Sequence, residues 1–205
     1  MTRDEMFADL AYTRTLAEEG RHAPLIGGRY LILFGLLLSV TYVAHWAILT
    51  GAVDAPRWML GAIWAGFGVC AGIGSALVGA RVRALPGQAS LDNRIDRAVW
   101  SAVTLASAAV IAGCLIGAGL NRDPQMPNAI MPAVFGFYGI ALMTTASVAS
   151  KPWLRWFAFA AFGVSGLVWL CINADWTYLV GAAAALLVLL APGIIMVRAE
   201  PSTTV

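Results

Sequence analysis

Residues 30–50 read YLILFGLLLSVTYVAHWAILT, an apolar run without a single Asp, Glu, Lys or Arg. At about 1.5 Å per residue, a helix of this length reaches about 30 Å, the thickness of a bilayer's hydrocarbon core. Five more apolar runs of similar length follow, three of them with one Arg near an end, so the candidate spans cover residues 30–50, 57–80, 97–119, 129–149, 153–172 and 176–197. Hydrophobic residues make up 60% of the chain and charged residues 12%, which excludes an ordinary soluble domain. The expected fold is all-α: a polytopic integral membrane protein with a six-helix bundle over residues 29–198, a polar segment before it (1–28) and a short tail after it (199–205).

The basic residues set the expected threading, because Lys and Arg are retained on the cytoplasmic side during insertion. Eleven of the 13 fall on one side: Arg3, Arg14, Arg21, Arg29, Arg81, Arg83, Arg94, Arg97, Lys151, Arg155 and Arg198. Only Arg57 and Arg122 fall on the other. Both termini are therefore expected in the cytoplasm, with the bundle in a bacterial-type cytoplasmic (inner) membrane. Indole rings favour the headgroup region. Trp46, Trp58, Trp169 and Trp176 accordingly lie near the outer ends of the spans and Trp100, Trp153 and Trp156 near the inner ends, while Trp64 sits deeper. The net charge of +2 follows from this bias and points to no nucleic-acid partner. The first 29 residues contain no apolar signal-peptide core, so the first span is expected to direct insertion.

The polar segment has its own helix signals. Thr2 and Glu5 form a capping box and Gly20 offers a stop. Between them Met6, Phe7, Leu10, Ala11 and Ala17 make one apolar face, and Arg14 pairs with Glu18 at i,i+4. The polar face is rich in Asp and Glu, which anionic lipid repels. The apolar face is thus expected to pack under its own bundle or to dock another protein through Phe7, Leu10, Ala11 and Arg14. Pro24 and Gly27-Gly28 then read as a hinge or a tight entry turn, Pro86-Gly87 as a turn, and Ser90 as the cap of a third helix that starts ahead of its span. Residues 150–152 and 173–175 are so short that spans four to six must be antiparallel neighbours.

Within the spans, small residues and one histidine stand out. Gly68-x-x-x-Gly72 continues at the same spacing through Ala76, and Gly113 and Gly117 repeat the pattern in span three. Such rows let helices approach closely. They predict packing inside the bundle, or else a homo-oligomer interface. His45 is the one ionisable residue well inside a span, with Thr41 and Tyr42 close by on the same helix, and these three are the candidate ligand or functional residues. A haem held by two histidines of one chain is excluded, because the other histidine, His22, precedes the spans. Cys70, Cys114 and Cys171 lie one per span without metal or redox spacing, and read as buried packing residues. Gly163-Val164-Ser165-Gly166 resembles the nucleophile motif of rhomboid intramembrane proteases, which implies a serine nucleophile. That family needs a later histidine as base, and none follows Ser165.

No metal, cofactor or catalytic residue is expected. The leading functional expectation is a non-enzymatic membrane protein that binds or regulates a partner on the cytoplasmic side through its bundle and N-terminal helix. The alternatives are a small, oligomeric transporter or channel for a neutral or apolar solute and, less fittingly, a lipid-acting enzyme drawing on Asp92, Asp96 and His22.

Overall fold

A computed structural model describes residues 25–83, 85, 88 and 90–200. The expected amphipathic helix with Phe7, Leu10, Ala11 and Arg14 lies outside the described residues, as do His22, Pro24, the Pro86-Gly87 turn and residues 201–205. The described chain forms α1 (Gly28–Leu49), α2 (Met59–Val82), α3 (Leu91–Asn121), α4 (Ile130–Val148), α5 (Leu154–Leu170) and α6 (Thr177–Arg198). A 3-10 turn, Met126–Ala129, leads into α4, and α6 contains a π-helical turn at Leu186–Leu190. No strand occurs among the described residues. Five helices are long and apolar enough to cross a membrane: α1, α2, α3, α4 with its leading turn, and α6. Helix α5 is apolar but shorter, at 17 residues. The described chain is thus all-helical, with five helices suited by length and composition to crossing a membrane.

Local sequence explains several helix ends. The Ser90 hydroxyl accepts the Asn93 N–H at 3.3 Å, so α3 begins at Leu91 and runs 31 residues, well ahead of the apolar run. It ends on Arg122 in the left-handed region, φ 54°. In α6, Pro192 has no N–H and its ring crowds the carbonyl of Val188, one turn earlier. The π turn immediately before Pro192 absorbs that mismatch.

The closest helix contact joins α1 to α6. A methyl added at Gly35 would lie 2.7 Å from the Leu190 amide nitrogen, inside the π turn. One added at Gly193 would lie 2.7 Å from the Gly28 carbonyl oxygen and 2.9 Å from the Ile32 nitrogen. The two backbones touch directly, and Gly28, just after the Gly27 that caps α1, sits against Met196 and Gly193 of α6. The same antiparallel pairing continues to the other end of the helices, where Gly181 receives Met131 and Tyr42. Near the chain ends Arg29 pairs with Glu200 at 2.8 Å. These contacts define a terminal face, where α1 starts and α6 ends, and an opposite face.

Around this seam, α5 packs antiparallel on α4. The Phe162 ring fills the space beside Gly139, and the Ser165 hydroxyl donates to the Pro132 carbonyl at 2.8 Å. The serine of the G-x-S-G run is therefore spent on joining two helices. Phe135, Leu142, Leu154, Val168, Val188 and Leu189 complete the core from α4, α5 and α6.

Helices α2 and α3 lie at the edges. Within their membrane-length apolar stretches only 6% is buried, against 50% in α4 and α6. Helix α2 leans on α1 through Leu33 at Gly74, the Tyr30 hydroxyl at Gly79 and the edge-on pair Phe34–Phe67. Helix α3 leans on α4 through Trp100 and Tyr138, 5.9 Å apart, and on the 3-10 turn, where Met126 covers Gly117.

The glycine rows therefore behave differently from their expected internal packing. Gly61, Gly66, Gly68, Gly72 and Gly113 have nothing within 4 Å of an added methyl, and Ala76 is exposed. Only Gly117 of the named set meets another element of the chain. The α2 row turns outward because, among the described residues, α2 packs mainly on α1, and it does so through the side that carries Phe67 and Gly74.

The contrast sets a stability test by thermal unfolding in detergent. Gly35→Ala should destabilise by about 1–3 kcal/mol, since rigid backbone must move to admit the methyl. Gly163→Ala, at an α5 site with nothing within 4 Å, should be neutral or stabilising by up to about 1 kcal/mol.

Candidate functional site

His45, the sequence's main candidate, sits one turn before the end of α1 on the opposite face. Its Nδ1 accepts the indole N–H of Trp64 from α2 at 3.0 Å. Its ring stacks on Tyr178 of α6, with centroids 3.8 Å apart and planes 17° apart. Tyr42, buried on α1, adds edge-on contact with Trp64 at 5.4 Å and a tilted contact with Tyr178 at 6.4 Å. Three helices thus meet in one cluster of four rings.

This geometry assigns the imidazole's chemistry. A neutral ring whose Nδ1 accepts a hydrogen bond carries its proton on Nε2. Protonating Nδ1 would require breaking the Trp64 bond, so the cluster favours a neutral, clamped ring over a shuttling base. Thr41 does not join it: its hydroxyl donates back to the Leu37 carbonyl of its own helix at 2.7 Å.

Beyond Tyr178 the network continues in side chains that the sequence reading passed over. The Tyr178 hydroxyl donates to Asn128 Oδ1 at 3.0 Å, the Asn128 amide approaches Asn173 Oδ1 at 3.4 Å, and the Thr177 hydroxyl donates to the Cys171 carbonyl. One signal for the site was present: Trp64 is the tryptophan that the headgroup belts do not explain, and it is the one that holds His45.

A second polar cluster lies on the terminal face. Asn93 and Asp96, in the first turns of α3, are buried, not solvated as their place near a helix start suggests. Asn93 Oδ1 accepts the backbone N–H of Ile26 at 3.1 Å. Asp96 Oδ1 accepts the hydroxyl of Thr145, on α4, at 2.6 Å. Asp96 Oδ2 lies against Gly27, where an added methyl would come within 2.7 Å of it. Burial makes each of these bonds matter, since an unpaired carboxylate in apolar surroundings is costly. Asp96, one of the acids considered for lipid chemistry, is thereby committed to holding the chain together.

The remaining candidates do not assemble into a site. Cys70 is exposed, and Cys114 and Cys171 are partly so, which corrects their reading as buried residues. Among the described residues, no three of His, Cys, Asp and Glu converge as metal ligands. A shallow apolar groove of about 330 Å³ runs between α3 and α4, lined by Val99, Val103, Phe137 and Ile140 among others. It contains no charged group. No family model, curated protein or solved structure matches the chain.

The His45 geometry is directly measurable by nitrogen NMR. With His22→Ala leaving one histidine, ¹⁵N-histidine labelling should show a single neutral Nε2–H tautomer at neutral pH. Trp64→Phe should release it into a mixture of tautomers and cost about 0.5–1.5 kcal/mol of stability.

Proposed function

We propose that this protein is a six-span, non-enzymatic membrane protein that binds a partner helix within the bilayer, with both termini in the cytoplasm and its N-terminal segment as a second contact. The observation that carries the reading is the open face of α2. Gly61, Ala65, Gly68, Gly72 and Ala76 are exposed along one side of a helix that its own chain leaves almost uncovered. Lipid tails gain little on such a flat surface, whereas a second helix gains backbone contact along its whole length.

Two further points support it. Helix α5, at 17 residues, spans about 26 Å and so meets the lower limit for a crossing helix, which supports a sixth span. The enzyme reading loses Asp96, one of its three polar candidates, to a buried contact with Thr145.

Photo-cross-linking in native membranes tests this reading. A benzophenone amino acid at Ala65 or Ala76 should give a defined protein adduct, a second copy or another membrane protein as its mass decides. The same probe at Leu105, 72% exposed on α3, should label lipid only. Gly68→Ile should abolish the adduct, and removal of residues 1–20 should weaken it. Lipid labelling alone at Ala65 and Ala76, together with solute movement in vesicles of the purified protein, would replace this reading with that of a transporter.

A further inference from the structure

Helix α3 packs on α4 and the 3-10 turn at the edge of the bundle, with most of its apolar stretch exposed. Met126 covers Gly117 near the opposite face, Trp100 meets Tyr138 further along, and at the terminal face Asn93 and Asp96 grip the chain that leads into α1. That last grip joins three parts of the molecule. Residues 25–28 are bound by Asn93 through the Ile26 N–H, and Asp96 stands between Gly27 and the Thr145 hydroxyl of α4. Leu25 and Ile26 are themselves buried, so the segment is seated in the bundle.

From this we infer that the Asn93–Asp96 turn is a latch coupling residues 25–28 to the position of α3 against α4. A displacement of residues 25–28 presses on Asp96 or pulls on Asn93. Either motion strains the Asp96–Thr145 bond, the polar tie between α3 and α4 at this face. Movement of the N-terminal part of the chain is thereby converted into movement of an edge helix that the core barely restrains. The coupling does not depend on whether a partner binds α2, and it gives the segment ahead of residue 25 a mechanical route into the bundle.

The latch can be tested from the segment's own side. Gly27 has ordinary helical angles, φ −67° and ψ −16°, so Gly27→Ala adds no backbone strain. Its methyl would nevertheless fall 2.7 Å from Asp96 Oδ2. Nitroxide labels at Ala98→Cys on α3 and Ser147→Cys on α4, both exposed positions, report the distance between the two helices in the full chain in nanodiscs, with the native cysteines replaced. A second pair at Ile140→Cys and Phe159→Cys, on α4 and α5, monitors the core.

The expected result is a broadened or lengthened α3–α4 distance in Gly27→Ala and in Thr145→Val, with the α4–α5 distance unchanged. In the Asp96→Ala background, Gly27→Ala should add nothing further, because the group it presses on is gone. An unchanged α3–α4 distance in Gly27→Ala would overturn the latch, whatever happens to stability. So would an effect of Gly27→Ala that persists in full without Asp96, or one that moves both pairs alike.

Discussion

The backbone contact between α1 and α6 is the constraint on which the other contacts depend. In a bilayer, helices gain no hydrophobic advantage by meeting, so association rests on van der Waals packing and a few hydrogen bonds. Gly28, Gly35 and Gly193 remove the side chains that would hold the first and last helices apart, and the π turn before Pro192 brings the Leu190 amide against Gly35. This pairing puts both ends of the described chain on one face, where Arg29 and Glu200 meet. It also brings residues 25–28 to the start of α3, and carries Tyr178 to His45 at the far end of the same two helices.

Much of the fold class was legible in the sequence, because a run of about 20 apolar residues has few other uses. The Ser90 cap was legible too, since a capping hydroxyl acts on the residues next to it. Helix facing was not. A helix that is apolar all round has no polar side to say which way it points. The regular spacing of Gly68, Gly72 and Ala76 drew attention to a face that meets nothing in the chain, while the seam uses Gly28, Gly35 and Gly193, which share no motif. Their partner is set by the path of the whole chain, and spacing along one helix does not encode it.

The candidate sites divide in the same way. His45 was conspicuous as an ionisable group inside a span, but Trp64 and Tyr178 come from two other helices and only the assembled bundle unites them. Asp96 drew notice in the sequence only as one of the acids a lipid-acting enzyme would use, just ahead of the apolar run. It is buried because the chain leading into α1 lies against it, a contact between residues about 70 apart in sequence and therefore without local signature. Both polar clusters thus sit near helix ends, one per face, and each ties an edge helix, α2 or α3, to the central ones.

Side-specific labelling tests most directly the antiparallel first and last helices together with the six crossings proposed for the chain. Single cysteines placed at Ala52, Asp123 and Asp175 in an otherwise cysteine-free chain should react with a membrane-impermeant maleimide from outside right-side-out vesicles. Those placed at Gln88 and Ser150 should react only after the vesicles are opened. Labelling of positions 150 and 175 from the same side would show that α5 does not cross, and would contradict the arrangement.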